Sequence, residues 1–177
     1  MKQQQFLNVV TAEEAHRVFN EAVRPAPLGA ESTPLGQALG RVLAQNVVSK
    51  IDVPFFDRSN VDGYAVRAED TYGAEETEPV SLRLTDEVIH TSVQPKIEVT
   101  AGHASTIATG GVIPRGGDAV VMIEQTIPQN GAILVVKPVV PGAAISFAGT
   151  DIASGETVLH RRTLLTSRET GVLAAIG

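Results

Sequence analysis

The chain has 177 residues, 20 Asp plus Glu against 14 Lys plus Arg, and a formal net charge of −6. That length suits one full domain or two small ones, and 43% hydrophobic with 19% charged residues describes a folding chain, not a disordered one. The lack of cysteine excludes disulfides, zinc–thiolate and iron–sulfur sites and thiol catalysis, and the acidic balance speaks against sequence-independent binding of nucleic acid. Met1–Phe6 lacks the apolar core of a signal peptide, and no run approaches the ~18 apolar residues of a membrane span, so a cytoplasmic protein without a membrane partner is expected.

A helix opens the chain. Thr11 and Glu14 have capping-box spacing, and Ala15, Val18, Phe19, Ala22 and Val23 then form one apolar face before Pro25 and Pro27 stop it. A second, short helix is expected over Leu35 to Leu43, weakened by Gly36 and Gly40. Gln45 to Ser49 reads as a strand, Ile51 to Asn60 as turn, and Tyr64-Ala65-Val66 as another short strand. From Val80 to Val140 the pattern is β. Val80, Leu82 and Leu84 alternate with polar residues, and Ala119 to Ile123 is a continuous run suited to burial on both faces. Asn130-Gly131 is the best hairpin signal in the chain. Thr166 and Glu169 repeat the capping-box spacing and open a final helix containing Val172, Leu173 and Ile176. The expectation is a mixed α+β, β-rich fold: a small interrupted linker domain with helices, and an inserted β-barrel-like domain.

Three polar clusters could carry chemistry. In Asp57 to Arg67, Asp62-Gly63 reads either as a tight turn in a solvated loop or as part of a hard-oxygen site of the kind Mg²⁺ prefers. Ala108 to Asp118 is glycine-rich. Gly111 and Gly116 have P-loop spacing, but Gly117 and Asp118 stand where its Lys and Ser/Thr belong, so that motif is rejected. What remains is a plain turn or an anion loop in which Thr109 offers a hydroxyl to an oxyanion. In Gly149-Thr150-Asp151-Ile152, Asp151 either caps its own turn or joins Asp62 as a further carboxylate. His16, His90, His103 and His160 are scattered without zinc-ligand spacing, and no G-x-S-x-G elbow is present.

The run Pro54-Phe55-Phe56-Asp57-Arg58-Ser59-Asn60-Val61-Asp62-Gly63-Tyr64-Ala65-Val66-Arg67 resembles the signature of the MoeA-type molybdopterin molybdenumtransferases, the family that includes the gephyrin E domain. Ala108-Thr109-Gly110-Gly111-Val112-Ile113-Pro114 with Asp118 to Glu124, then Gly149-x-Asp151-Ile152, follow in the family's order. The resemblance implies insertion of molybdate into adenylylated molybdopterin with release of AMP and use of Mg²⁺. It implies Asp62, Thr109 and Asp151 as catalytic, Asp62 and Asp151 as metal-binding, and Ser59, Gly110 and Gly111 as substrate-binding. It divides the chain into an N-terminal helix (1–25), a discontinuous domain I (26–50 and 147–177) and a β-rich domain II (51–146). A homodimer is implied, with a molybdopterin-adenylylating protein as a further partner. Three departures stand out: Arg58 where the family often has Asn, Thr150 where it has Glu, and no positive charge in Ala143 to Ala148. The family's pterin-binding α/β domain would begin where this chain ends, so the expectation is an N-terminal portion that is inactive alone. The alternative is a non-catalytic dimerisation or scaffold module of the same architecture.

Overall fold

The computed structural model describes residues 9–26 and 28–177, so the readings of Met1–Phe6 and Pro27 lie outside the described residues. Its elements are helix α1 (Ala12–Val23), strands β1 (Val47–Val48), β2 (Arg58–Ser59), β3 (Gly63–Val66), β4 (Val80–Ile89), β5 (His103–Ile107), β6 (Ala119–Met122), β7 (Thr126–Gln129), β8 (Ala132–Val135), β9 (Ile145–Ser146) and β10 (Thr157–Leu159), and helix α2 (Ser167–Ile176). Met1–Pro34 and Leu35–Gly177 are separate compact units. Among the described residues no helix is long and apolar enough to cross a membrane.

In the first unit, the Thr11 hydroxyl accepts the Glu14 N–H at 3.2 Å, which is half of the expected capping box. The Glu14 carboxylate turns instead to Arg17, at 2.6 and 3.0 Å. The helix ends where Arg24 takes a left-handed conformation (φ 47°) and its N–H closes on the Asn20 carbonyl, directly before Pro25. None of its residues is buried, so Ala15, Val18, Phe19, Ala22 and Val23 all remain exposed.

The second unit is mostly β. The helix expected over Leu35 to Leu43 shrinks to a single 3₁₀ turn, Leu35–Gln37. Gly40 breaks it at φ +78°, and the chain enters a ladder instead. Gly40 N–H donates to the Leu165 carbonyl at 2.7 Å and Leu43 N–H to the Thr163 carbonyl at 3.0 Å. Further along, β1 pairs antiparallel with β10. At the far end the capping box is complete: Thr166 accepts the Arg168 N–H, and Glu169 accepts the Thr166 N–H.

Six strands form the main sheet, in the order β6-β3-β5-β4-β8-β7, with β4 and β5 parallel and the other pairs antiparallel. The edge strands β6 and β7 are joined only by the 3₁₀ turn Ile123–Gln125. Six flat strands would set those edges about 24 Å apart, whereas the link reaches about 15 Å. The sheet therefore curls into half a barrel without the edge-to-edge ladder that would close one. Gly131 takes φ +73° in the β7–β8 hairpin, and edge strand β7 carries Pro128.

Both faces of the sheet are packed. Val66, Leu82, Ala104, Val121, Ile133 and Val135 lie in one cluster, whereas Ala65, Ile89, Ile107 and Val120 lie in the other. The alternation of Val120 and Val121 between clusters explains the unbroken apolar run of β6. Gly63 begins β3 instead of forming a left-handed turn. It is required by proximity, because an added Cβ would stand 2.1 Å from the Val121 carbonyl oxygen. Gly63→Ala should therefore cost on the order of 3 kcal/mol or more. Gly36→Ala meets nothing within 4 Å, and should stay within about 0.5 kcal/mol. Urea unfolding of the two variants checks this contrast.

Candidate active site

Residues 53–62 are the spine on which the other two polar segments hang. On one side the Ser59 N–H donates to the Gly111 carbonyl at 2.9 Å, the Gly110 N–H to the Ser59 carbonyl at 2.8 Å, and the Ile113 N–H to the Asp57 carbonyl at 2.9 Å. On the other, β2 pairs with β9, Arg58 opposite Ser146 and Ser59 opposite Ile145. The Gly149 N–H reaches the Pro54 carbonyl at 2.9 Å and the Asp151 N–H the Val53 carbonyl at 3.0 Å. Side chains add to the backbone pairing. The Asp57 carboxylate accepts the Ala148 N–H at 2.8 Å, and the Ser146 hydroxyl donates to Asn60 Oδ1 at 2.6 Å. Beneath them Val61, Ile113, Ala144 and Ile145 pack on the second apolar cluster, so the core seats all three segments.

Asp62 and Thr109 meet directly. Asp62 Oδ1 accepts the Thr109 N–H at 2.7 Å and its hydroxyl at 2.9 Å. The Thr109 N–H first, then its hydroxyl, holds the Asp62 carboxyl below the usual carboxylate range, because both bonds favour the ionised form. The hydroxyl proton thus goes to Asp62 and not to an external oxyanion. Asp151 is brought to the same spine, but its partner is Arg58, with Oδ2 3.7 Å from Nη2. This pairing was not legible in the sequence.

The three expected substrate-binding residues serve the loops. Ser59 is buried, and its hydroxyl donates to the Val61 carbonyl at 2.6 Å, which shapes the bend. Gly110 is required by φ +77°, and a Cβ at Gly111 would lie 2.7 Å from Ile107 Cγ1. Their N–H groups are engaged with the carbonyls of Ser59 and Ala108, both at 2.8 Å. The turn therefore offers no free backbone cradle.

The profile of the MoeA N-terminal region (domain I and II) matches residues 10–177. This chain belongs to the MoeA N-terminal family. Its relatives include the molybdopterin molybdenumtransferase of a Nostoc species, 39% identical over 82% of this chain and 33% of that protein. Molybdopterin molybdenumtransferase 2 of Mycobacterium tuberculosis is 36% identical over 94% of this chain and 40% of its own length. The crystal structure of a molybdopterin biosynthesis MoeA protein from Pyrococcus horikoshii superposes with TM-score 0.83 at 39% identity, covering 96% of this chain and 43% of that one. The chain thus spans between about a third and two fifths of the curated relatives named here.

Within this MoeA region, the described side chains do not by themselves build a preformed metal cage. No group of three or more His, Asp or Glu among the described residues could hold a metal ion. One oxygen of Asp62 is engaged by Thr109, and Asp151 faces a guanidinium whose charge opposes a nearby cation. The latch between Asp62 and Thr109 also fixes a pH response. Asp62 is depressed relative to its unfolded value of 3.8, so its contribution to stability is present above that value and is lost as pH falls through the folded-state pKa. Carboxyl-carbon NMR should place the Asp62 midpoint below 3.8. Thr109→Val, which keeps the N–H but removes the hydroxyl, should raise that midpoint only part of the way back. An unmoved midpoint in Thr109→Val would count against the hydroxyl's share.

Proposed function

We propose that this chain is the N-terminal region of a molybdopterin molybdenumtransferase, which inserts molybdate into adenylylated molybdopterin during molybdenum cofactor biosynthesis. The observation that supports this reading is the convergence of three sequence-distant motifs on residues 53–62, with Asp62 latched to Thr109 and Asp151 paired to Arg58. The relatives carry that enzyme's name. Asp62, exposed and ionised, has its second oxygen available to accept a hydrogen bond or a proton from a guest molecule. Thr109 holds that carboxylate in place, and Asp151 orients a cation. The reading carries with it a cytoplasmic homodimer whose sites are completed by protein outside this chain. It also carries the division into domain I (26–50 and 147–177) and domain II (51–146), for which the ladder joining β1 to β10 is an argument.

A second reading, a non-catalytic dimerisation or scaffold module, is favoured by the absence of positive charge from Ala143 to Ala148. Substitution separates the two. In the whole protein, Asp62→Ala, Thr109→Ala and Asp151→Ala should each lower molybdate insertion on the order of a hundredfold while leaving the fold intact. Normal restoration of cofactor synthesis by all three variants would favour the scaffold. The 177-residue chain by itself should show no turnover, measured as AMP release from adenylylated molybdopterin with molybdate.

A further inference from the structure

Nearly every hydrogen-bond donor on the converging segments is already engaged. The N–H groups of residues 109–111 bond Asp62, Ser59 and Ala108, and those of residues 148–152 bond Asp57, Pro54, Phe147 and Val53. The hydroxyls of Ser59, Thr109, Ser146 and Thr150 also donate internally. Two donor groups on the spine stand apart. One is the Arg58 guanidinium, whose ion-pair partner among the described residues is Asp151 at 3.7 Å, too long for a direct hydrogen bond. The other is the Asn60 amide NH₂, whose orientation is set by the Ser146 hydroxyl on its oxygen.

The two share a face. Arg58 is half-buried and Asn60 exposed; Arg58 lies directly opposite Ser146 in the β2–β9 pair, and Asn60 accepts the Ser146 hydroxyl, so both side chains share the Ser146 face. Across segments 53–62, 108–118 and 143–152 the cations are Arg58 and Arg115, against Asp57, Asp62, Asp118 and Asp151, and Arg58 is the one on the paired spine. A negatively charged guest approaching the spine itself therefore meets Arg58 as its attractive charge.

We infer that Arg58 and Asn60 form an oxyanion-binding pair, taking a tetrahedral dianion of the phosphate or molybdate type. Arg58 supplies a charged fork of donors and Asn60 a neutral one. Asp151 is the exchangeable counter-ion. Its pair with Arg58 is exposed (40% and 59%) and long, hence weak and screened, so a dianion displaces it. The inference rests on the transferase reading for the identity of the guest but not for the binding itself.

The test is a titration of the 177-residue chain with inorganic phosphate and, separately, molybdate at constant ionic strength, followed by NMR of the Arg58 Nε–H and Asn60 Nδ2 signals. Saturable shifts of both are expected. Arg58→Gln should weaken binding at least about tenfold, and Arg58→Lys should retain part of it. Asn60→Ala should weaken it by about threefold, as the loss of one neutral donor. Asp151→Asn should tighten binding severalfold by removing the competing carboxylate. Undiminished binding in Arg58→Gln, or no saturable shift in the wild-type chain, overturns the pair. If Arg58→Gln fails to fold, weaker or unchanged binding in Asp151→Asn overturns it instead. A blank titration alongside activity lost in Asp62→Ala would sink this pair and leave the transferase reading standing.

Discussion

Backbone pairing along residues 53–60 is the constraint on which the rest of the molecule's chemistry depends. The contacts it holds lie far apart in sequence, 47 residues for Asp62 with Thr109 and 91 for Asp57 with Ala148. Each such hydrogen bond to a carboxylate is worth about 1.5–3 kcal/mol net, which does not by itself offset the closure of loops that long. The difference comes from below. Val61, Ile113, Ala144 and Ile145 anchor the three segments to the sheet's second apolar face, so the polar rim is assembled by burial and only aligned by hydrogen bonds.

That rim is crowded with negative charge, and each carboxylate is balanced locally. Asp57 accepts a backbone N–H, Asp62 accepts an N–H and a hydroxyl, and Asp151 faces a guanidinium. The balance differs in kind. Asp57 and Asp62 are held by short bonds with fixed geometry, whereas Asp151 is held at arm's length by a flexible side chain. An acidic surface that must receive an anion has most to gain from the loosest of these pairs, because that is where a counter-charge can be exchanged without unpicking the loops.

Much of this architecture was legible in the residues. The Asn130-Gly131 hairpin, the double burial of the Ala119 to Ile123 run as far as Val121 and the Thr166 cap all follow from local pattern, whereas Ile123 leaves the strand and is exposed. The helix expected near Leu35 failed because Gly40 takes a left-handed turn and its neighbours pair with residues 163–165, a tertiary contact that local propensity cannot foresee. At the site, Asp62 and Thr109 were legible as polar residues in turns, but the direction of the Thr109 hydroxyl was not. Which oxygen receives a proton depends on what lies across the gap. The same holds for Gly63, read as a turn residue and needed instead for a strand crossing, and for Ser59, read as a ligand contact and found buried. Arg58 with Asp151 joins positions that no spacing rule connects.

The sheet's outer margin has a property of its own. The Val136 N–H donates to the Gln125 carbonyl, so in β7 the residues in step with Gln125, Ile127 and Gln129, direct their backbone groups toward β8. Pro128 falls out of step, and the N–H it lacks would have pointed away from the sheet. An incoming strand seeking to zip onto this rim would find a gap in the donor row at its centre. One imino acid thus guards a curled, unclosed sheet against lengthening into fibres.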